Sequence, residues 1–163
     1  MAHCPERVLP GRIFFELANN SRTIGGINRE SVYKAKEFYS KFVAAKLYLT
    51  NSQTAEMVKL IENSSRDVQI AFAHQVAGMA KEAGLNPYEV IELANQHPRV
   101  KILKPSCGVG GHCIAVDPWF LVNDFPASTQ LLKCAREIND NRPELVIQEI
   151  KNFINKFISD NKI

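Results

Sequence analysis

From Asn28 onward, apolar residues recur mainly at helical spacing. Val32, Ala35, Phe38 and Tyr39 share one side of a helix predicted over 28–42, and residues 45–49 read as a short strand. The best-marked helix comes next. Thr50-Asn51-Ser52-Gln53 supplies a capping start, and Gly84 after Lys81-Glu82-Ala83 supplies a stop. Between them run Met57, Leu60, Ile61, Val68, Ala71, Phe72, Val76 and Met79, enough apolar surface for burial on more than one side. The polar exception is a stripe of Lys59, Asn63 and Arg66, whose spacings of four and three place them on one helix face. Taken alone, such a stripe is a solvated face.

A further helix starts at Asn86-Pro87, with Glu89 in capping-box register, and ends near Asn95. Gln96-His97-Pro98-Arg99 breaks the pattern, because the residue before a proline is pushed out of the helical region. A short helix is expected around Pro118 to Val122. Residues 128–158 are helical, with Pro143 expected to interrupt or kink them near Asn139 to Arg142. Val146, Ile150, Phe153 and Phe157 form an apolar seam that suits either this chain's own core or another domain or subunit. In residues 1–26 the proline- and glycine-rich first part, Cys4 to Gly11, reads as a loop and Arg22 to Gly25 as a short strand, for which these residues supply no partner.

Composition narrows the class. With 163 residues, 45% hydrophobic and 23% charged, the chain fits a globular protein with one core. Its 20 basic and 17 acidic residues leave a charge of +3, too small an excess to imply nucleic acid. No stretch reads as a membrane span or signal peptide, so the expected location is cytoplasmic, with no membrane partner. Cys4, Cys107, Cys113 and Cys134 are then expected as reduced thiols. Cys107, His112 and Cys113 lack C-x-x-C spacing, so no metal is expected.

The densest chemistry lies in Cys107-Gly108-Val109-Gly110-Gly111-His112-Cys113, followed by Asp117. Clustered glycines allow a tight turn and close approach to a ligand. If a helix opens at Ile114, Cys113 and Asp117 share a face, and a helix N-terminus favours a thiolate. Cys113, Asp117, Lys59, Asn63 and Glu6 together supply a nucleophile, a cation, an amide and carboxylates. Those are the parts of covalent catalysis at a carbonyl carbon, although Cys113 also suits the part of an incidental packed thiol. A thiol hydrolase using His112 with Cys113 is a weaker alternative, since adjacent residues seldom face each other.

Several segments resemble the UDP-glucose/GDP-mannose 6-dehydrogenase family. They are Cys4-Pro5-Glu6-Arg7-Val8-Leu9-Pro10-Gly11, Arg22-Thr23-Ile24-Gly25-Gly26, Ala55-Glu56-Met57-Val58-Lys59-Leu60-Ile61-Glu62-Asn63, His97-Pro98-Arg99-Val100, Gly108 to Pro118, and Ala135-Arg136-Glu137-Ile138-Asn139-Asp140. The resemblance implies NAD-dependent oxidation of a nucleotide sugar at C6 in two steps, with a UDP-sugar as substrate. It implies Cys113 as the nucleophile and Lys59 in acid/base or oxyanion work, with Asn63 and Asp117 assisting. Glu6 is then the candidate base for thioester hydrolysis and the cofactor-side residue. Arg7, Val8, Arg66, His97, Arg99 and Gly110 would contact substrate, His97 and Arg99 by reaching across a homodimer. Pro10 and His112 depart from the glucose-specific branch and favour an N-acetylated mannosamine.

The implied fold is mainly α, a helical central domain of the 6-phosphogluconate dehydrogenase C-terminal-like type, with a few short strands left from a truncated Rossmann domain. Residues 1–26 would be that remnant, 27–142 the dimerising central domain, and 143–163 a connecting helix toward an absent UDP-binding domain. No G-x-G-x-x-G fingerprint precedes Glu6, so the NAD-binding domain is expected to be missing as well. The alternatives are a non-catalytic dimerisation module or gene remnant, and a dehydrogenase of UDP-glucose, UDP-N-acetylglucosamine or GDP-mannose.

Overall fold

The strand at Arg22–Gly26 exists because neighbours flank it on both sides, one of them overlapping the strand expected at 45–49 and the other at Ala2–His3, where none was expected. In the computed structural model, which describes residues 1–161, the chain forms two compact units, Met1–Ile61 and Glu62–Ile163. In the first unit β1 (Ala2–His3) pairs antiparallel with β2 (Arg22–Gly26), and β2 pairs in parallel with β3 (Leu47–Asn51). All of β2 is buried, with Ile24 fully inside. Between β1 and β2 sits α1 (Ile13–Asn19), a helix that the sequence pattern did not predict. Its seven residues bury nothing and are too few to show a period.

The crossover between the parallel strands is α2 (Arg29–Tyr39), capped by Asn28 Oδ1, which accepts from Ser31 N at 2.9 Å. The two glycines ending β2 are there for close packing. A Cβ on Gly25 would lie 2.4 Å from Asn51 O, and one on Gly26 2.6 Å from Val32 Cγ2.

The long helix α3 (Ser52–Glu82) starts in the first unit and continues into the second. Asn51 Oδ1 caps it by accepting from Thr54 N at 2.8 Å. Gly84, at φ +70°, ends it, with Leu85 N donating to Ala80 O and Gly84 N to Lys81 O. Its burial runs opposite to residue size. Ala71, Ala73, Ala77 and Ala80 are buried, whereas Phe72 and Met79 are more than half exposed and Met57 and Ile61 are also exposed.

The second unit continues with α4 (Pro87–Ala94), capped by Asn86, then the irregular segment 95–116, α5 (Asp117–Asp124) and α6 (Gln130–Asn161). Pro143 does not interrupt α6. A proline inside a helix removes one N–H and so frees the carbonyl four residues earlier, here that of Asn139. Gly108 lies against this spot at φ +140°. A Cβ there would meet Pro143 Cγ at 3.0 Å and Asn139 O at 3.7 Å. The expected break is instead a notch that receives the glycine loop. The seam residues Ile150, Phe153 and Phe157 are exposed, and Val146 is half-buried.

Candidate active site

In the first unit the Pro5-Glu6-Arg7 loop is tied to β2. Arg22 Nη2 donates to both oxygens of Glu6, at 2.8 and 3.1 Å, and its guanidinium lies 4.5 Å from the Tyr39 ring centroid. Arg22 is buried whereas Glu6 stays exposed. Arg7 N also donates to Glu6 Oε1, and the Arg7 guanidinium reaches Ser21 O and Thr23 Oγ1. Val8 is half-buried beside it. Burial pushes the Cys4 thiol pKa up, against the opposing Tyr39 hydrogen bond and Arg22 charge, and so disfavours a thiolate there.

In the second unit Asn63 Nδ2 donates to Asp117 Oδ2 at 2.5 Å, which joins α3 to the start of α5. Because a carboxylate can only accept, this bond fixes which way the Asn63 amide faces. The helix α5 (Asp117–Asp124) covers the short helix expected around Pro118 to Val122; it opens at Asp117 and not at Ile114, and residues 114–116 form turns. Cys113 therefore stands four residues before Asp117 on a turn. Its carbonyl accepts from Asp117 N at 2.8 Å and from Val116 N at 3.0 Å, and its thiol is exposed. Gly110 is exposed in the loop before it. Lys59 is half-buried one helical turn before Asn63 on α3, and Arg66 is exposed. His97 and Arg99 are exposed in the turn after α4, where Arg99 N donates to His97 Nδ1 at 3.3 Å.

The residues that sequence reasoning missed form a buried polar network. Asp67 Oδ1 accepts from Arg136 Nη1 at 2.6 Å and from Asn139 Nδ2 at 2.7 Å. Asn139 Oδ1 lies 2.9 Å from His74 Nδ1, and His74 Nε2 lies 3.2 Å from Ser106 N and 3.1 Å from Ser106 Oγ. Asp67, His74, Arg136 and Asn139 are all buried. A backbone N–H only donates, so His74 Nε2 must carry a lone pair and Nδ1 the proton. The imidazole is neutral. Burial, chiefly, pulls its pKa below the ordinary histidine value, with the Arg142 charge adding and the Asn139 bond and Asp67 opposing. The available signal was Asp67 and His74, two polar residues seven apart on a helix face that also carries the apolar Ile70, Ala71 and Ala77.

Among the described residues, no three His, Cys, Asp or Glu side chains are placed to hold a metal ion, and no helix is long and apolar enough to cross a membrane. A dinucleotide would need a glycine turn open to its pyrophosphate. The β2–α2 turn, the strand-to-helix glycine turn of the first unit, packs its glycines against Asn51 and Val32, so it is not such a turn.

A small strand layer followed by long helices, with a cysteine-bearing glycine loop held against α3, defines a class. The chain belongs to the UDP-glucose/GDP-mannose dehydrogenase family, whose central domain matches residues 53–141. Within it, the chain is 56% identical over 158 residues to the UDP-N-acetyl-D-mannosamine dehydrogenase of Methanocaldococcus jannaschii, covering 97% of this chain and 37% of that protein. It is 52% identical over 151 residues to the Campylobacter jejuni protein of the same name, covering 93% of this chain and 37% of that one. The solved UDP-D-ManNAc dehydrogenase of Pyrococcus horikoshii superposes with a TM-score of 0.88 at 46% identity, over 99% of this chain and 38% of that one. The chain thus spans well under half the length of these relatives.

Proposed function

We propose that this chain supplies the catalytic centre of a UDP-N-acetyl-D-mannosamine dehydrogenase, which oxidises the sugar C6 alcohol to a carboxylate. The observation that carries the reading is the Cys113 turn, joined through Asp117 to Asn63 on α3. At the aldehyde level, Cys113 Sγ bonds to C6, the C=O π bond opens and the thiol proton passes to the oxygen, which gives a thiohemiacetal. Lys59 and Asn63 stabilise the negative charge that builds on that oxygen, and Asp117 keeps the Asn63 amide in place. After the second oxidation, water adds to the thioester and the C–S bond breaks, which frees the carboxylate and returns the thiol. Glu6, steadied by Arg22, is the candidate base for that water. Arg7, Val8, Arg66, His97, Arg99 and Gly110 are the candidate substrate contacts. NAD is the two-electron acceptor in this reading, bound outside the described residues.

In the same reading, residues 1–26 belong to a nucleotide-binding domain, 27–142 to the central domain and 143–163, of which 162–163 lie outside the described residues, to a connecting segment. The cytoplasm is the proposed location. The direct test gives NAD and UDP-N-acetylmannosamine to a polypeptide containing this chain together with the domains its relatives carry. Two NADH per sugar are expected, with slower turnover of UDP-glucose, UDP-N-acetylglucosamine and GDP-mannose. Preference for one of these others would reassign the substrate, and no turnover of any would reject the reading.

The exposed Phe72 and Met79 on α3 and Leu131 on α6 favour a second role, pairing with another copy of the chain. A homodimer is expected by sedimentation at micromolar concentration. A dimer without turnover in the completed polypeptide would support a non-catalytic pairing module.

A further inference from the structure

Two ties to α3 bracket the Cys113 loop. At its far end Asp117 is held by Asn63, and at its near end Ser106 is held by His74. Asn63 and His74 are eleven residues apart on the helix, about 16 Å at 1.5 Å per residue. From Ser106 the tie passes directly into the loop. Ser106 Oγ lies 3.0 Å from Gly108 O and 3.4 Å from Gly108 N, while Arg142 Nε donates to Ser106 O at 3.2 Å. Gly108 itself sits against the Pro143 notch.

We propose that His74 is a positioning residue for the Cys113 loop, its neutral imidazole accepting from Ser106 N and so fixing the near end from which the thiol is presented. The idea rests on the reading of Cys113 as the nucleophile. Everything behind the ring is arranged to hold it still. Nδ1–H donates to Asn139, Asn139 donates to Asp67, and Asp67 is locked by Arg136, which also pairs with Asp140. Protonation would place an Nε2–H against the Ser106 N–H, donor facing donor, and so break the backbone tie, leaving only Ser106 Oγ to accept from the ring. The charged groups bearing on the ring are Asp67 from α3, which favours the cation and is itself paired with Arg136, and Arg142 from α6, which opposes it. The segment packed against it contributes the uncharged Ser106.

Glutamine at this position retains an acceptor oxygen for Ser106 N–H but takes up no proton. The test is amide hydrogen exchange over 104–113 in the full chain, corrected for intrinsic rate, between pH 7.5 and 5. At pH 7.5 His74→Ala should exchange about fivefold faster than wild type, the worth of one hydrogen bond. His74→Gln should stay protected. As the pH falls below about 6.5, wild type should lose protection while His74→Gln keeps it. Equal exchange in wild type and His74→Ala, or parallel pH profiles in wild type and His74→Gln, would overturn the proposal. If His74→Ala does not fold, the comparison of wild type with His74→Gln decides by itself. Exchange needs no turnover, so this result stands or falls separately from the dehydrogenase reading. In the completed polypeptide, His74→Ala should lower kcat with KM kept and His74→Gln should restore kcat. An unchanged kcat despite faster exchange would sever the loop from the nucleophile.

Discussion

The second unit holds two polar clusters on the same helix, and they differ in what surrounds them. The Asp67–Arg136–Asn139–His74 cluster is buried, and its hydrogen bonds run from one protein group to the next. The Asn63–Asp117 cluster with Cys113 is open, its thiol exposed and its carboxylate only partly covered. Buried polar groups are costly unless paired, and although Asp67 Oδ2 and Arg136 Nε have no hydrogen-bond partner among the described residues, the other bonds of the first cluster suit it to holding parts in place. Groups that must receive a ligand need the exposure that the second one has.

That contrast is broken most severely at Arg136. Arg136→Met leaves the Asp67 carboxylate buried without its cation and should lower unfolding free energy by about 3–5 kcal/mol in urea titration. Adding Asp67→Leu should recover most of the loss, because an apolar pair replaces an unpaired charge. Failure of the double variant to recover would mean that the network, beyond the charge pair, carries the stability.

Asn63→Ala should behave in the opposite way. It should cost about 1 kcal/mol of stability and lower kcat of the completed polypeptide by about a hundredfold, as measured by steady-state kinetics. A large stability loss with unaltered kcat would move Asn63 into the structural class.

The smallest expected effect is on pH dependence. With the His74 pKa held below its ordinary value, the unfolded chain takes up the proton first as pH falls. The stability contributed by the neutral ring is therefore present above about pH 6.5 and is lost as pH falls from there through the folded value. Urea midpoints at pH 7.5 and 5 should differ more in wild type than in His74→Gln.

Much of this was legible in the sequence because local rules wrote it. Asn28, Asn51 and Asn86 mark helix starts and Gly84 a helix end, each by a bond made within a few residues. Cys113, Asp117 and Asn63 stood out by residue type, although their meeting depends on partners 54 residues apart. What stayed hidden was non-local. The strand pairing of β1 with β2 joins residues that share no pattern, and Pro143 reads as a break unless Gly108 is known to fill the space beside it. On α3, hydrophobicity pointed to Phe72 and Met79 as core, yet the close approach of neighbours puts alanines there instead.

The central claim is that Cys113 is the group that bonds to the substrate carbon. The measurement that tests it most directly is peptide mass spectrometry of the completed polypeptide, acid-quenched during turnover of UDP-N-acetylmannosamine. The account predicts a hydroxylamine-sensitive acyl adduct on Cys113 and none on Cys4, Cys107 or Cys134. Turnover with an unmodified Cys113, or with the adduct on another cysteine, would contradict it.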